Sequence, residues 1–260
     1  MADTFHNIIA GEATAAASGT TFNDLNPADR TDIIGTFPSS GPADVDRAVE
    51  AAREAFSSWS AAPAPERGNI LRQIGDALTE RKTELARIMT REMGKPVFET
   101  KGDVQEAIDT AYYAASETRR LFGHTVPSEL PDKFNMSIRR PVGVCGVITA
   151  WNFPVAVPTW KIFPAIASGN VVVFKPSEEA PHSATVLCEI MSDAGLPDGV
   201  VNLIHGAGEA GKALVEHPDV DAIGFTGSSE TGKAIGATCG RLNTKYSAEM
   251  GGKNPMIVME

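Results

Sequence analysis

No stretch of this sequence approaches the ~18–20 apolar residues of a membrane-spanning helix. The first residues, "MADTFHNIIAGE", carry acidic side chains and no apolar core, which excludes a secretory signal. Basic residues are in deficit, 23 against 33 acidic, for a formal charge of −10. That balance argues against a general binder of nucleic acid. Cysteine is scarce: Cys145, Cys188 and Cys239 form an odd set without metal-ligand spacing. They read as reduced thiols of a cytoplasmic protein. Repeats and low-complexity tracts are lacking, apart from the short "ATAAASGTT" at 13–21.

What remains is an ordinary globular composition, 42% hydrophobic and 22% charged over 260 residues. The first 40 residues alternate turn chemistry with short extended pieces. Val45, Ala48, Val49, Ala52, Phe56 and Trp59 then recur at helical spacing, behind Gly41-Pro42 and with Asp44 and Asp46 at the positive end. Further helices are expected through Ile70–Leu78, through Leu85–Met89 and over about 98–121. Gly94 suits a left-handed cap for the middle one. The segment 124–144 has turn residues and then alternation at Phe134, Met136 and Ile138, the pattern of a protruding β-hairpin.

From residue 143 apolar strands ("VGVCGVIT", "NVVVFK", "VNLIHG", "DAIGFTG") alternate with helices at about 155–168, 181–194, 208–216 and 229–239. Alternation of this kind predicts an α/β fold: a Rossmann-like, doubly wound parallel sheet with an amino-terminal helical region and the hairpin. Ligands of such sheets sit at the carboxyl ends of the strands. Each predicted strand ends in polar or glycine-rich residues: "TAWNFP", "KPSE", "HGAGEAG", "FTGSSETG" and "EMGGKNP".

Each loop has two readings. Gly227, Ser228 and Gly232 in "FTGSSETG" suit a phosphate at a helix start, or simply a capped helix. Lys175 and Glu178 suit ribose hydroxyls, or form a solvated loop pair. Asn152 is an amide donor for a developing oxyanion, or the start of an Asx-turn before Pro154. Lys161 places charge near a site or snorkels to solvent. Glu249, beside Gly251 and Gly252, is a carboxylate held on a sharp loop for chemistry, or an exposed turn. The cysteines lack the cationic strand-end setting that would activate a thiol: Cys145 reads as core within an apolar strand, Cys188 lies on a helix and Cys239 near a helix end.

Together these segments resemble the NAD(P)-dependent aldehyde dehydrogenase family. The resemblance rests on Trp151-Asn152-Phe153-Pro154, Trp160-Lys161, and Gly169-Asn170 leading into Lys175-Pro176-Ser177-Glu178. It continues through Phe225-Thr226-Gly227-Ser228 with Gly232, and Glu249-Met250-Gly251-Gly252-Lys253; "NIIAGE" and "EMGKP" match earlier segments. Met250 stands where leucine is usual and Ala150 where proline is common.

The resemblance implies catalytic roles for Asn152 (oxyanion donor), Glu249 (activating water on a thioester) and Lys161 (proton relay). It implies cofactor contacts from Thr149, Trp151, Lys175, Ser177 and Glu178, and from Gly208, Gly227, Ser228, Met250 and Gly251. Trp151 and Ser228 would meet the diphosphate, Lys175 and Glu178 the adenosine ribose. NAD is the expected cofactor, with NADP as the alternative, because Glu178 repels a 2′-phosphate. Residues 1–123 and 145–260 would form the cofactor domain and 124–144 an oligomerisation hairpin of a homodimer or homotetramer. The substrate would be an aldehyde. The segment "GHTVPSELPDKF" resembles bacterial semialdehyde dehydrogenases, including the α-ketoglutaric semialdehyde type, and Tyr112 and Tyr113 would line the substrate tunnel. The family's nucleophilic cysteine follows the glutamate motif by some thirty-odd residues. The sequence is therefore expected to be an amino-terminal portion that binds cofactor without catalysing alone. A non-enzymatic cofactor-binding or assembly module from a split gene is the competing expectation. A related acylating reductase is a third reading, against which Glu249 counts.

Overall fold

The computed structural model describes residues 3–259. Five short strands come first: β1 (Asp3–Thr4), β2 (Asn7–Ile9), β3 (Glu12–Thr14), β4 (Thr21–Leu25) and β5 (Ile33–Pro38). Four helices follow, α1 (Pro42–Ala61), α2 (Ala64–Glu80), α3 (Lys82–Met93) and α4 (Val97–Glu117). The long helix ends earlier than its sequence suggests, at Glu117, and tightens into a 3-10 turn over Thr118–Arg120. A two-stranded antiparallel piece, β6 (Thr125–Val126) with β7 (Asn135–Met136), confirms a hairpin within 124–144. The remainder alternates: β8 (Val144–Ile148), α5 (Ala156–Ala167), β9 (Val171–Lys175), α6 (Pro181–Asp193), β10 (Val201–Leu203), α7 (Gly208–Glu216), β11 (Ala222–Gly227), α8 (Ser229–Leu242) and β12 (Lys245–Met250).

Local chemistry sets many of these bounds. At the start of α1, Asp44 accepts from the Gly41 amide at 3.1 Å, closing a capping box behind Pro42. α3 stops at Gly94, whose φ of +77° is the left-handed cap. Ser228 caps α8 by accepting from the Thr231 amide at 3.1 Å, and Asn243 ends it at φ +58°.

The main sheet has the order β12-β11-β8-β9-β10-β2-β3. Its first five strands are parallel; β2 and β3 extend it antiparallel. From β8 the chain winds outward through β9 and β10, then returns to β11 and β12 on the other side of β8. The reversal makes the β8–β11 boundary a topological switch point, where ligands of open α/β sheets bind. Helices α1, α7 and α8 lie on one face; α5 and α6 lie on the other, backed by α2, α3 and α4. Strands β8 and β9, covered on both faces, are buried along their whole length. Among the described residues no helix is long and apolar enough to cross a membrane.

Two boundaries differ from the sequence reading, for one reason. Gly227 and Glu249 belong to strands rather than to the loops after them, because β11 and β12 stay paired through Thr226 with Glu249 and Gly227 with Met250. Parallel pairing overrides the turn chemistry of the glycines beside them.

Candidate functional site

The carboxyl edge of the sheet presents the expected residues strand by strand. At the end of β8, Thr149 is buried and its Oγ1 has no hydrogen-bond partner among the described residues. Its amide donates to the Lys175 carbonyl at 3.4 Å, so the edge stays in register with β9. Trp151 and Asn152 follow in the exposed turn leading into α5. None of the Asn152 side-chain atoms is held by a hydrogen bond among the described residues, so the Asx-turn alternative does not form and the amide is free.

Lys175 closes β9 with its side chain 6% exposed, and its Nζ lies 3.5 Å from Glu178 Oε2. Burial pushes the Lys175 pKa down, and Glu178 opposes that by favouring the charged ammonium. Ser177 Oγ accepts from the Glu179 amide at 3.2 Å, which tightens the loop that turns Glu178 back toward Lys175. Gly208 begins α7, and an added Cβ there would meet nothing within 4 Å. Lys175, Glu178 and Gly208 border one groove of about 470 Å³ with Ile148, Gly211, Lys212 and Ile235. Apolar walls carrying a few polar groups are the usual make-up of a small-molecule site of roughly 300–1,000 Å³.

On the opposite face no helix among the described residues packs along β11 and β12, and a second cleft of about 330 Å³ opens there. Its lining includes Trp160, Lys161, Gly224, Ser247 and Glu249. Lys161 reaches over Gly224 from α5, and its Nζ lies 3.5 Å from Glu249 Oε1. The snorkelling reading is therefore half right: the stem is covered, and the ammonium ends at a carboxylate. Met250, the next residue, points the other way, and its Sδ would lie 2.5 Å from a Cβ added at Gly232 of α8.

The structure thus sorts the expected residues into two groups. Lys175, Glu178 and Gly208 share the groove beside α7 and α8; Lys161 and Glu249 share the cleft beside α5. Thr149, Trp151, Asn152, Ser177, Gly227, Ser228, Met250 and Gly251 line neither hollow. Ser228 serves as the α8 cap, yet a capped helix still leaves first-turn amides without intrahelical acceptors. Tyr112 is engaged elsewhere, donating to Asp76 Oδ1 at 2.8 Å.

Thr226 was missed by sequence reasoning. It pairs with Glu249 across β11–β12, and one step along β8 from the Ile148–Phe225 pairing lies Thr149. Thr149, Thr226 and Glu249 therefore form one row across three neighbouring strands at the switch point. Thr226 Oγ1, like Thr149 Oγ1, has no partner among the described residues. Two unsatisfied buried hydroxyls cost free energy unless a ligand or water completes them. Thr226 stood inside "FTGSSETG", where the glycines and serines drew the reading. The groove, the helix starts and the Lys175–Glu178 pair offer the kind of polar groups that suit sugar hydroxyls and phosphates.

None of the cysteines is a candidate nucleophile. All three are buried. Burial pushes the Cys145 thiol up to about 12 and raises Cys188 and Cys239 as well.

Comparison with known proteins gives a consistent result. The aldehyde dehydrogenase family matches residues 14–260. The α-ketoglutaric semialdehyde dehydrogenase of Bacillus subtilis is 43% identical over 99% of this chain and 53% of its own length. The glutarate-semialdehyde dehydrogenase of Pseudomonas aeruginosa is 42% identical over 94% of this chain and 51% of its own length. Among solved structures, an NAD-dependent aldehyde dehydrogenase from Sinorhizobium meliloti superposes with TM-score 0.94 at 36% identity, covering 98% of this chain and 51% of that one. A betaine aldehyde dehydrogenase from Staphylococcus aureus, solved with NAD+, gives 0.93 at 37% identity, covering 96% and 51%. The chain spans about half the length of the curated relatives it matches.

Proposed function

The chain belongs to the aldehyde dehydrogenase family, and on that premise we propose that it is the cofactor-binding half of an enzyme that oxidises a semialdehyde to its acid with NAD. The observation that carries this reading is the row at the switch point, which sets Glu249 in line with two unsatisfied hydroxyls, one on each of the next two strands, on the edge that also bounds the Lys175–Glu178 groove.

NAD, when bound, supplies the hydride acceptor. Lys175 and Glu178 hold the adenosine ribose, with Glu178 accepting from a 2′-hydroxyl and repelling a 2′-phosphate. Gly208, Gly227 and Met250 give the cofactor close approach to backbone. Thr149, Trp151, Ser177, Ser228 and Gly251 complete its contacts, and the first-turn amides of α8 favour the diphosphate. Asn152 donates its free amide to the oxygen that becomes negative when a thiolate adds to the aldehyde. Glu249 removes a proton from the water that releases the acid, and Lys161 holds that carboxylate in place. With Cys145, Cys188 and Cys239 buried, the attacking thiolate comes from outside these 260 residues.

Semialdehydes are the substrate class because relatives at 43% and 42% identity are named for them. The hairpin exposes Val126, Leu130, Phe134 and Met136. An apolar arm of this kind calls for a partner surface, and a second copy of the protein supplies it. Calorimetric titration of the 260-residue chain with NAD and with NADP tests the cofactor half of the proposal. Saturable binding that favours NAD is expected; heat from neither cofactor would sink it. NADH formation by the full-length protein on 2-oxoglutarate semialdehyde or glutarate semialdehyde tests the rest.

A further inference from the structure

The turn between α3 and α4 grips the loop that carries Asn152. Gly94 ends α3 in a left-handed cap and Pro96, its φ fixed by the ring, precedes α4, which leaves Lys95 in a short turn between the two helices. Its ammonium donates to the Asn152 backbone carbonyl at 2.6 Å. It sits 3.6 Å from the centroid of the Phe153 ring and 3.7 Å from Asp103 Oδ2. Asp103, on α4, has a side chain with no exposure at all, and its Oδ1 accepts from the Ala156 amide at 2.7 Å. Ala156 is the first residue of α5. The segment 152–156 is therefore held at one end by the lysine and at the other by the aspartate that faces it.

Stability alone is a weak reason to keep such a pair, since well-packed apolar residues often replace a buried ion pair without loss. Geometry is the stronger reason. A carbonyl tied inward fixes the peptide plane after Asn152 and turns the side chain outward, and Asn152 is exposed. We propose that Lys95 and Asp103 are positioning residues for the reaction, acting through Asn152 by clamping the turn that aims its amide. The proposal rests on the reading of Asn152 as the oxyanion donor.

In the full-length protein Lys95→Met keeps the apolar stem and removes the ammonium. Because a misplacement of about 1 Å costs on the order of 10²-fold, kcat is expected to fall roughly 10- to 100-fold while KM for NAD stays within about twofold. Lys95→Arg, which retains a donor and a charge, recovers most of that loss. Asp103→Asn, which keeps an oxygen for Ala156 and loses the charge opposite Lys95, falls between. The deciding comparison is the double variant: with Asn152→Ala already present, Lys95→Met lowers kcat no further. In the 260-residue chain, hydrogen exchange at the Phe153 and Ala156 amides speeds up in Lys95→Met while β8 and β9 amides keep their protection. Independent, multiplying losses in the double variant would overturn the proposal, as would full turnover in Lys95→Met. Full turnover in Asn152→Ala alone would instead bring down the functional reading, and the proposal with it.

Discussion

Two lysine–glutamate pairs of the same length face away from each other across this sheet. In both the nitrogen–oxygen distance is 3.5 Å, the lysine side chain is nearly covered (6% and 10% exposed) and the glutamate is open (43% and 56%). Lys175–Glu178 joins the last residue of a strand to the loop that follows it, three residues apart. Lys161–Glu249 joins a helix to an edge strand across 88 residues. The surroundings differ as much as the connectivity. Lys175 ends a strand buried throughout, whereas β12 alternates between partly buried and exposed because one of its faces has no covering element. Identical local geometry thus stands in two settings: a groove against two helices, and an open ledge at the sheet edge.

The largest effect separates the two pairs by function. Glu249→Gln in the full-length protein is expected to cut steady-state turnover by about 10²–10⁴, the usual worth of a general base. NAD affinity should stay unchanged, because Glu249 lies in the other hollow. Parallel assays of NADH formation and cofactor titration check this, and a loss of affinity matching the loss of rate would merge the two sites into one.

A third lysine–carboxylate pair inverts the pattern and sharpens it with pH. Asp103 is the buried partner, and Lys95 is 13% exposed. Burial pushes the Asp103 pKa from 3.8 to about 6, against the lowering effects of the Ala156 amide and Lys95; Glu106 adds to the rise. A carboxyl with a folded-state pKa above its unfolded value contributes stability that is complete below about pH 4 and lost as pH rises through about 6. The separation of about two pH units is worth about 3 kcal/mol. Urea unfolding of the wild type and Asp103→Asn at pH 4 and pH 7 reads this directly: the variant gains on the wild type as pH rises. A stability difference that is the same at both pH values would rule it out.

The contrast between the pairs also explains what the sequence disclosed. "KPSE" could be read because strand end, turn and partner lie within four residues. The α7 boundaries and the Gly94 cap were legible for the same reason: capping and periodicity are local. The Lys161–Glu249 contact was not, since it depends on α5 crossing the face beside an edge strand. Known family motifs named both residues, but only the sheet order brings them together. The alignment of Thr149 with Thr226 depends on register across a non-sequential strand pair, and the clamp of Lys95 and Asp103 on packing between α4 and α5. Glu249 was placed on a loop because two glycines follow it; pairing with β11 keeps it in the strand.

Lys175→Met probes the covered pair. A hydrogen bond to a charged group contributes about 1.5–3 kcal/mol, so NAD affinity should weaken roughly 10- to 100-fold. Stability should hold or rise, because the substitution removes an ammonium whose pKa burial already depresses and leaves Glu178 solvated. Calorimetric titration beside thermal unfolding checks both arms, and a variant that lost stability along with affinity would make Lys175 a structural residue.

Lys161→Met asks the same of the open pair, and here the expected stability effect is the smallest. Glu249 is more than half exposed, so the ion pair is worth less than about 1 kcal/mol, and methionine refills the channel that the lysine stem occupies over Gly224. Urea midpoints of the variant and the wild type should nearly coincide, while turnover by the full-length protein falls because Glu249 loses the group that holds it. A midpoint shift corresponding to more than about 2 kcal/mol exceeds what an exposed pair supplies. It would mean that Lys161 holds β12 onto the sheet, and that the open ledge is kept together by the residues that make it a site.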